Sequence, residues 1–167
     1  MKGAGFSLWI VPEGEVRRRL AALIAELARR FAGPVFEPHV TLLAGLPGPA
    51  ASVIARVEEG MRMSNAFPVR FIGPELGDSY FRSLYLRVEP SPELLVLHGA
   101  VRDAFGRTEE APFFPHLSLR YGAPPPPAVI EEVRLGVPDG FEARTVDLYS
   151  TEGEVERWHR VRRFRLG

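Results

Sequence analysis

The chain has 167 residues, of which 21 are Lys or Arg and 21 are Asp or Glu, so its formal net charge is zero. This length fits one domain with a sizeable core, and the zero charge argues against a protein held to nucleic acid mainly by bulk electrostatics. The absence of Cys excludes disulfide frameworks, zinc ribbons, iron–sulfur clusters and cysteine nucleophiles.

The expected location is the cytoplasm. No apolar stretch of the sequence is long enough to span a membrane. Residues 1–5 lack the apolar segment and the cleavage site of a secretory signal. We therefore expect a soluble protein that has no membrane partner.

One residue type carries almost all of the positive charge, since 20 of the 21 basic residues are Arg and Lys2 is the only Lys. A GC-rich genome or a warm habitat would explain this bias. The recognition of anions is the alternative, because the guanidinium fork fits a phosphate group. Composition does not choose between the two.

The first third of the chain alternates strand and helix. Residues 6–11 are rich in aromatic and β-branched types and stop at Pro12, which is typical of a strand. Apolar residues from Val16 to Phe31 then recur at helical spacing. The predicted elements are a strand at 6–11, a helix at 13–31, a strand at 39–43 and a helix at 50–63.

The remaining chain is also divided into short helices and strands. Gly73-Pro74 and Gly77-Asp78 predict turns between two strands. The predicted elements are strands at 68–72 and 80–88, a helix at 92–105, a strand at 116–121, a helix at 129–135, and strands at 142–150 and 155–164. No long polar linker interrupts them, so we expect one domain over residues 1–167.

One short motif occurs twice. Residues 38–42 read Pro-His-Val-Thr-Leu, and residues 115–119, which begin 77 positions later, read Pro-His-Leu-Ser-Leu. Each copy follows a predicted strand and a predicted helix. This repeated order indicates a duplicated unit whose two copies face each other across a pseudo-twofold axis.

The alternation of a strand gives each motif a polar face. His39 and Thr41 share one face of their strand, as do His116 and Ser118 of theirs. Such polar pairs would be unfavourable in a core unless they line a cleft. The sequence therefore predicts a cleft that holds two imidazoles and two hydroxyls.

These groups suit the hydrolysis of a strained phosphodiester without a metal. A neutral imidazole takes a proton from water, and a protonated imidazole gives one to the leaving ribose oxygen. An imidazole pKa of ~6.5 makes both forms available and predicts a bell-shaped rate profile near neutrality. The hydroxyls can donate hydrogen bonds to the phosphate oxygens.

The motifs have two other interpretations, a structural role and a metal site. A single His on a strand is most often structural, but a matched pair is rarely accidental. A metal site is disfavoured because the chain has no Cys and no His-x-x-x-His pair. We therefore expect neither a metal nor another cofactor.

With these motifs the chain resembles the two-histidine (2H) phosphoesterases, and within them the plant and yeast-type cyclic nucleotide phosphodiesterases. The similarity runs nearly end to end, through segments 6–12, 33–41, 80–86, 115–121 and 147–153. The resemblance implies an α+β fold of two pseudo-symmetric lobes, each an antiparallel sheet with helices packed outside, around a central cleft. It also implies metal-independent hydrolysis of ADP-ribose 1″,2″-cyclic phosphate and of nucleoside 2′,3′-cyclic phosphates, the latter giving 2′-phosphates.

The resemblance assigns roles to five residues. His39 and His116 become the catalytic pair, with His116 favoured as the base, and Thr41, Ser118 and Tyr121 bind phosphate. Tyr121 follows His116 by five positions, so a regular strand would turn it away from the cleft. A bulge or a strand end is needed to bring it back.

Two aromatic residues, Trp9 and Phe81, are candidates for substrate binding. Trp9 could stack on a base or a ribose, although a packed position in the core explains it equally well. Trp158 is expected in the core, and His98 and His159 are expected on the surface or in structural positions.

Arg120 stands where relatives often carry an apolar residue. We expect its side chain either to contact phosphate or to face solvent.

The proposed activity has two alternatives. An RNA 2′,3′-cyclic phosphodiesterase of the same superfamily, often called a 2′-5′ RNA ligase, would need a longer basic groove. A non-catalytic nucleotide- or RNA-binding module would have no need of two titratable groups. The expected partner is a small cyclic phosphate nucleotide, with RNA 3′ ends as the alternative, and the expected state is a monomer.

Overall fold

The structure is a computed structural model that describes residues 3–108 and 111–167. In this part of the chain it contains eight strands, four α-helices and one short 3₁₀ turn, Val155–Arg157. The strands are β1 Phe6–Ile10, β2 Val40–Leu46, β3 Phe67–Ser79, β4 Arg82–Val88, β5 His116–Arg120, β6 Gly140–Ala143, β7 Thr145–Ser150 and β8 His159–Arg165. The helices are α1 Gly14–Phe31, α2 Ala50–Met61, α3 Pro92–Ala104 and α4 Val129–Gly136.

The strands form one sheet in the order β6-β3-β4-β5-β2-β1-β7-β8, and its pairings are antiparallel. Its two halves contain four strands each, and they meet where Val40 of β2 pairs with Leu117 of β5. The prediction of an α+β fold with two pseudo-symmetric halves is therefore confirmed. The two strands that carry the histidine motifs lie side by side at the centre.

The repeated unit predicted from the sequence is present as β1-α1-β2 and β4-α3-β5. In each copy the first strand pairs with the last. Helix α1 packs against β5, and α3 packs against β2, so each helix covers the histidine strand of the other half. The buried face of α1 contains Leu20, Ile24 and Leu27. This exchange of helices links the two halves through a shared core.

Each histidine strand contains a β-bulge at the same place. In the first half Leu8 pairs with Leu43 but Trp9 pairs with Thr41, which leaves Leu42 as an extra residue. In the second half Leu84 pairs with Arg120 and Tyr85 with Ser118, which leaves Leu119 as the extra residue. Leu42 and Leu119 are 77 positions apart, as the two histidines are. The pseudo-symmetry therefore extends to this local irregularity.

The hairpin of β3 and β4 differs from the prediction. Residues 73–79, predicted to form turns, belong to the 13-residue strand β3. Beyond Phe71, β3 pairs with β4 on one side only among the described residues, and such an edge tolerates Pro74 because its missing N–H faces no partner. Two register shifts absorb the remaining irregularity. This segment therefore belongs to a strand and does not form the turns predicted from its Gly and Pro residues.

The predicted strand at 142–150 is two strands, and the prediction of one is wrong. β6 pairs with β3, whereas β7 pairs with β1 and β8. Only Arg144 lies between β6 and β7, and no Gly or Pro marks the break. The last predicted strand, at 155–164, begins instead as the 3₁₀ turn and becomes β8 at His159.

Within residues 3–108 and 111–167, no helix has the length and apolar character that crossing a membrane requires.

Candidate active site

The two histidine motifs meet in one cleft of about 360 Å³, and Thr41, Ser118 and Tyr121 lie in its wall beside them. The roles of these five residues stay predictions, but the structure brings all five together. The remaining lining residues are aromatic or small: Ser7, Trp9, Phe81, Thr151 and Trp158, with Gly3, Ala4, Ala44 and Gly45.

Both histidines are held by the same local hydrogen bond. The Nδ1 atom of His39 lies 2.6 Å from the carbonyl oxygen of Glu37, and that of His116 lies 2.8 Å from the carbonyl oxygen of Phe114. A carbonyl oxygen can only accept, so Nδ1 carries the hydrogen in each ring. Nε2 is then the nitrogen that is left to exchange protons with a ligand.

The cleft holds these imidazoles in their neutral form. Burial lowers the pKa of His39 from 6.5 to about 3, against the opposing effect of its bond to Glu37. Burial also lowers the pKa of His116, and the nearby Arg82 guanidinium lowers it further. Among the described residues that line the cleft, none is Asp, Glu, Lys or Arg. Within this lining, a bound phosphate could meet a positive charge only on a protonated imidazole.

Trp9 both lines the cleft and is packed on its two faces. Its ring stacks on His39 with centroids 3.6 Å apart and on Tyr149 with centroids 4.0 Å apart. Because β1 lies between β2 and β7, these two rings cover opposite faces of the indole. Nε1 donates to Ser7 Oγ at 2.7 Å. Trp9 can therefore offer a substrate only its edge, and it fixes the plane of the His39 ring.

Tyr121 reaches the cleft in the way the sequence required. The bulge at Leu119 shifts the alternation of β5, and the strand ends at Arg120. The Tyr121 ring stacks on Phe36 with centroids 3.7 Å apart and meets Phe81 edge-on at 5.1 Å. Burial raises the pKa of Tyr121 above its usual range, so its hydroxyl stays protonated and can act as a donor.

The two phosphate-binding candidates on the strands differ in their hydrogen bonds. Ser118 Oγ donates to the carbonyl oxygen of Phe81 at 2.7 Å. Within the described part of the chain, the Thr41 hydroxyl has no such partner. Thr41 is therefore ready to donate to a phosphate, whereas Ser118 must first give up its bond to Phe81.

Arg120 has a structural role, and neither of its predicted roles is found. It is 6% exposed, and its guanidinium donates to the carbonyl oxygens of Ala123, Tyr121 and Phe31 at 2.9, 3.1 and 2.9 Å. It therefore ties the end of α1 to the segment that follows β5. Burial lowers the pKa of Arg120 from its usual value.

Arg120→Ala is expected to lower the free energy of unfolding by about 3 kcal/mol, because it leaves three carbonyl oxygens without their charged donor. Urea unfolding followed by circular dichroism measures this loss. Arg120→Lys should recover little of it, since an ammonium group lacks the planar fork. An Arg120→Ala protein of unchanged stability but much higher KM would instead show a phosphate contact.

The other aromatic and histidine residues fall into two groups. Trp158, expected in the core, packs against the core but also lines the cleft. His98 is structural, since Nδ1 lies 2.9 Å from the Leu42 carbonyl oxygen and its ring stacks on Phe113. His159 is exposed at the start of β8. Trp158 was missed because its spacing from the motifs carries no signal.

Among the described residues, no three His, Asp or Glu side chains are grouped so that they could hold a metal ion.

The fold and the paired motifs together define a 2H phosphoesterase. Escherichia coli LigT, in its ligand-free crystal structure, superposes with a TM-score of 0.68 over 99% of both chains at 17% sequence identity. A Thermus thermophilus protein, TT0787, gives a TM-score of 0.65 over 97% of both chains at 20% identity. At these identities the likeness concerns the fold.

The chain belongs to the cyclic phosphodiesterase-like protein family, whose family model matches residues 4–166. It is 33% identical to a Kluyveromyces lactis 2′,3′-cyclic-nucleotide 3′-phosphodiesterase over 87% of this chain and 78% of that protein. It is 27% identical to an Arabidopsis thaliana cyclic phosphodiesterase over 70% of this chain, but it covers only 64% of that relative. The predicted class of enzyme, a cyclic phosphodiesterase, is confirmed at the level of this family.

Proposed function

We propose that this protein hydrolyses ADP-ribose 1″,2″-cyclic phosphate and nucleoside 2′,3′-cyclic phosphates, the latter to 2′-phosphates, without a metal. The observation that carries the proposal is the pair His39 and His116, held alike by carbonyl oxygens in one cleft beside Thr41 and Ser118. General acid–base catalysis needs two such groups on either side of a phosphate.

The reaction uses one proton transfer at each imidazole. A neutral imidazole removes a proton from water at Nε2 while the water oxygen bonds to phosphorus. The second imidazole, protonated, gives its Nε2 proton to the ribose oxygen as the P–O bond breaks. One histidine has then gained a proton and the other has lost one, so the total charge of the pair is unchanged.

The polar lining supports the transition state. Charge grows on the non-bridging phosphate oxygens as water adds, and preorganised hydrogen-bond donors lower the energy of that charge. The Thr41 hydroxyl and the protonated Tyr121 hydroxyl are such donors, and Ser118 becomes one when its bond to Phe81 is exchanged.

The size of the cleft favours a small substrate. A volume of about 360 Å³ lies within the range of sites for single small-molecule ligands. The yeast relative carries a name that specifies a cyclic nucleotide. Both points favour the small-nucleotide activity over that of an RNA 2′,3′-cyclic phosphodiesterase, and the pair of titratable groups disfavours a module that only binds.

A substrate panel tests the proposal. It contains ADP-ribose 1″,2″-cyclic phosphate, the four nucleoside 2′,3′-cyclic phosphates and an RNA with a cyclic phosphate end, each followed by ³¹P NMR. We expect turnover of all the small substrates, with 2′-phosphates as the products of the nucleoside 2′,3′-cyclic phosphates and with rates unchanged in EDTA.

Each other outcome points to an alternative. Turnover of the RNA alone would favour the RNA 2′,3′-cyclic phosphodiesterase. Tight binding of every nucleotide without turnover would favour the binding module. Activity that EDTA removes and zinc or magnesium restores would establish a metal enzyme.

A further inference from the structure

An arginine beside the cleft, Arg82, has no partner of opposite charge among the residues that the structure describes. Arg82 begins β4, directly after the lining residue Phe81. Its guanidinium lies over two aromatic rings, 5.6 Å from the centroid of Tyr85 and 4.9 Å from that of Phe114. Its Nε is buried without a hydrogen-bond partner, and no carboxylate pairs with it among the described residues. A half-buried guanidinium in this state has unused capacity for an anion.

A second arginine nearby, Arg87, differs from Arg82 because its charge is paired with a carboxylate. Arg87 lies over the same Phe114 ring at 5.1 Å, but it pairs with Glu75 at 3.5 Å. The Tyr85 hydroxyl also donates to Glu75, at 2.8 Å. The carboxylate is thus bound by Arg87 and Tyr85, and within the described part of the chain no carboxylate compensates the charge of Arg82.

The guanidinium charge of Arg82 lies close to His116, which lines the cleft. The Tyr85 ring that Arg82 covers is 5.5 Å from the ring of His116, and Phe114 is 5.9 Å from it. A single aromatic ring therefore separates the guanidinium from the imidazole. Its charge is felt there, because Arg82 lowers the pKa of His116. Two phosphates on one ribose are likewise separated by one ring, the sugar.

We propose that Arg82 binds a second phosphate of the substrate, the 5′-phosphate of the ribose that carries the cyclic phosphate, and so makes the enzyme selective for 5′-phosphorylated substrates. This inference rests on the proposed function. The described residues of the cleft lining include no Lys or Arg for such a group, and a guanidinium can contact a phosphate through two parallel hydrogen bonds. Two substrate types contain this phosphate: ADP-ribose cyclic phosphate, in its pyrophosphate, and an RNA 3′ end, in its last phosphodiester.

Matched substrates isolate the contribution of the second phosphate. Adenosine 2′,3′-cyclic phosphate ends in a 5′-hydroxyl, and 5′-phosphoadenosine 2′,3′-cyclic phosphate adds only the phosphate. ADP-ribose 1″,2″-cyclic phosphate and the dinucleotide ApA 2′,3′-cyclic phosphate then separate the pyrophosphate source from the phosphodiester source. The measured quantity is the ratio of kcat/KM with and without the 5′-phosphate.

The variants are Arg82→Gln and, as a matched control, Arg56→Gln. Arg56 also lies over a Phe ring, that of Phe105 at 5.7 Å, but on α2 away from the cleft. In the unmodified protein and in Arg56→Gln we expect the 5′-phosphate to raise kcat/KM about tenfold to a hundredfold. In Arg82→Gln the ratio should fall to about one, because only the substrate with the 5′-phosphate loses a contact.

Binding of products keeps the test independent of turnover. Calorimetry compares 2′-AMP with adenosine 2′,5′-bisphosphate, and the bisphosphate should bind about tenfold tighter or more, an advantage that only Arg82→Gln removes. A ratio near one in the unmodified protein, or an equal loss for both substrates in Arg82→Gln, would overturn the role of Arg82. Absence of turnover with every cyclic phosphate would overturn the proposed function, and the binding ratio would then decide on Arg82 alone.

Discussion

Replacing His39 or His116 with Ala is expected to reduce kcat/KM by about 10²–10⁴-fold, because each variant lacks one of the two proton transfers. The two losses should not add in the double variant, since neither histidine completes the reaction without the other. Initial rates with adenosine 2′,3′-cyclic phosphate measure both effects.

His159→Ala is the matched control for these variants. Its Nδ1 also lies near the carbonyl oxygen two residues before it, that of Arg157 at 3.0 Å, but the side chain is exposed and outside the cleft. We expect it to keep the full rate. His39→Asn and His116→Asn each keep a donor for the carbonyl oxygen but cannot exchange protons, so each should be as inactive as the corresponding Ala variant. An Asn variant with near-normal rates would exclude acid–base catalysis by that histidine.

The pH dependence of kcat/KM is expected to reach its maximum below pH 6.5 and then fall about tenfold for each further pH unit. Burial lowers the pKa of His39 to about 3 and that of His116 below its usual value. The active form of the free enzyme has one protonated and one neutral imidazole, so it exists mainly between the two apparent pKa values of the pair. The structure thus moves the profile from the neutrality expected for free imidazoles to acid pH.

When kcat is measured instead of kcat/KM, we expect the decline with rising pH to begin at a higher pH. The negative charge of a bound phosphate stabilises an imidazolium, which raises the pKa of the pair in the complex. A kcat/KM value that stays constant from pH 5 to pH 8 would show that the free enzyme needs no protonated imidazole.

Acid pH also changes stability, and this effect must be controlled. The buried histidines have lower pKa values in the folded protein than the ~6.5 of the unfolded chain. Their contribution to the free energy of unfolding is therefore complete above pH 6.5 and is lost as the pH falls from 6.5 toward 3. Circular dichroism at each pH shows whether the enzyme is still folded where rates are taken.

The centre of the site could be predicted because its sequence motif occurs twice in the chain. The repeated motif predicted that His39, Thr41, His116 and Ser118 share one cleft, as they do. Strand alternation required a bulge or a strand end before Tyr121, and the structure contains a bulge at Leu119. The stacking of two rings on the opposite faces of Trp9 could not be predicted from the sequence. It depends on Tyr149, which β7 brings beside β1 from 140 positions later in the chain.

The edges of the sheet were less predictable for a related reason. Gly73 and Pro74 normally interrupt a strand, but β3 tolerates them since it has a partner on one side only at that point. The break at Arg144 has no local signal, because its cause is the change of partner strand. Arg82, unlike the paired Arg87, could be distinguished only when its neighbours were known.

The single residue between β6 and β7 has a consequence for how ligands enter and leave. These strands belong to different halves of the sheet, so Arg144 ties the halves at the rim while the pair Val40–Leu117 joins them at the centre. A rigid-body rotation that opened the cleft would have to strain both connections. We therefore expect the entrance of the cleft to keep a nearly constant width while substrates and products exchange. A change of substrate range in such a protein would come from side chains at that entrance rather than from a longer hinge.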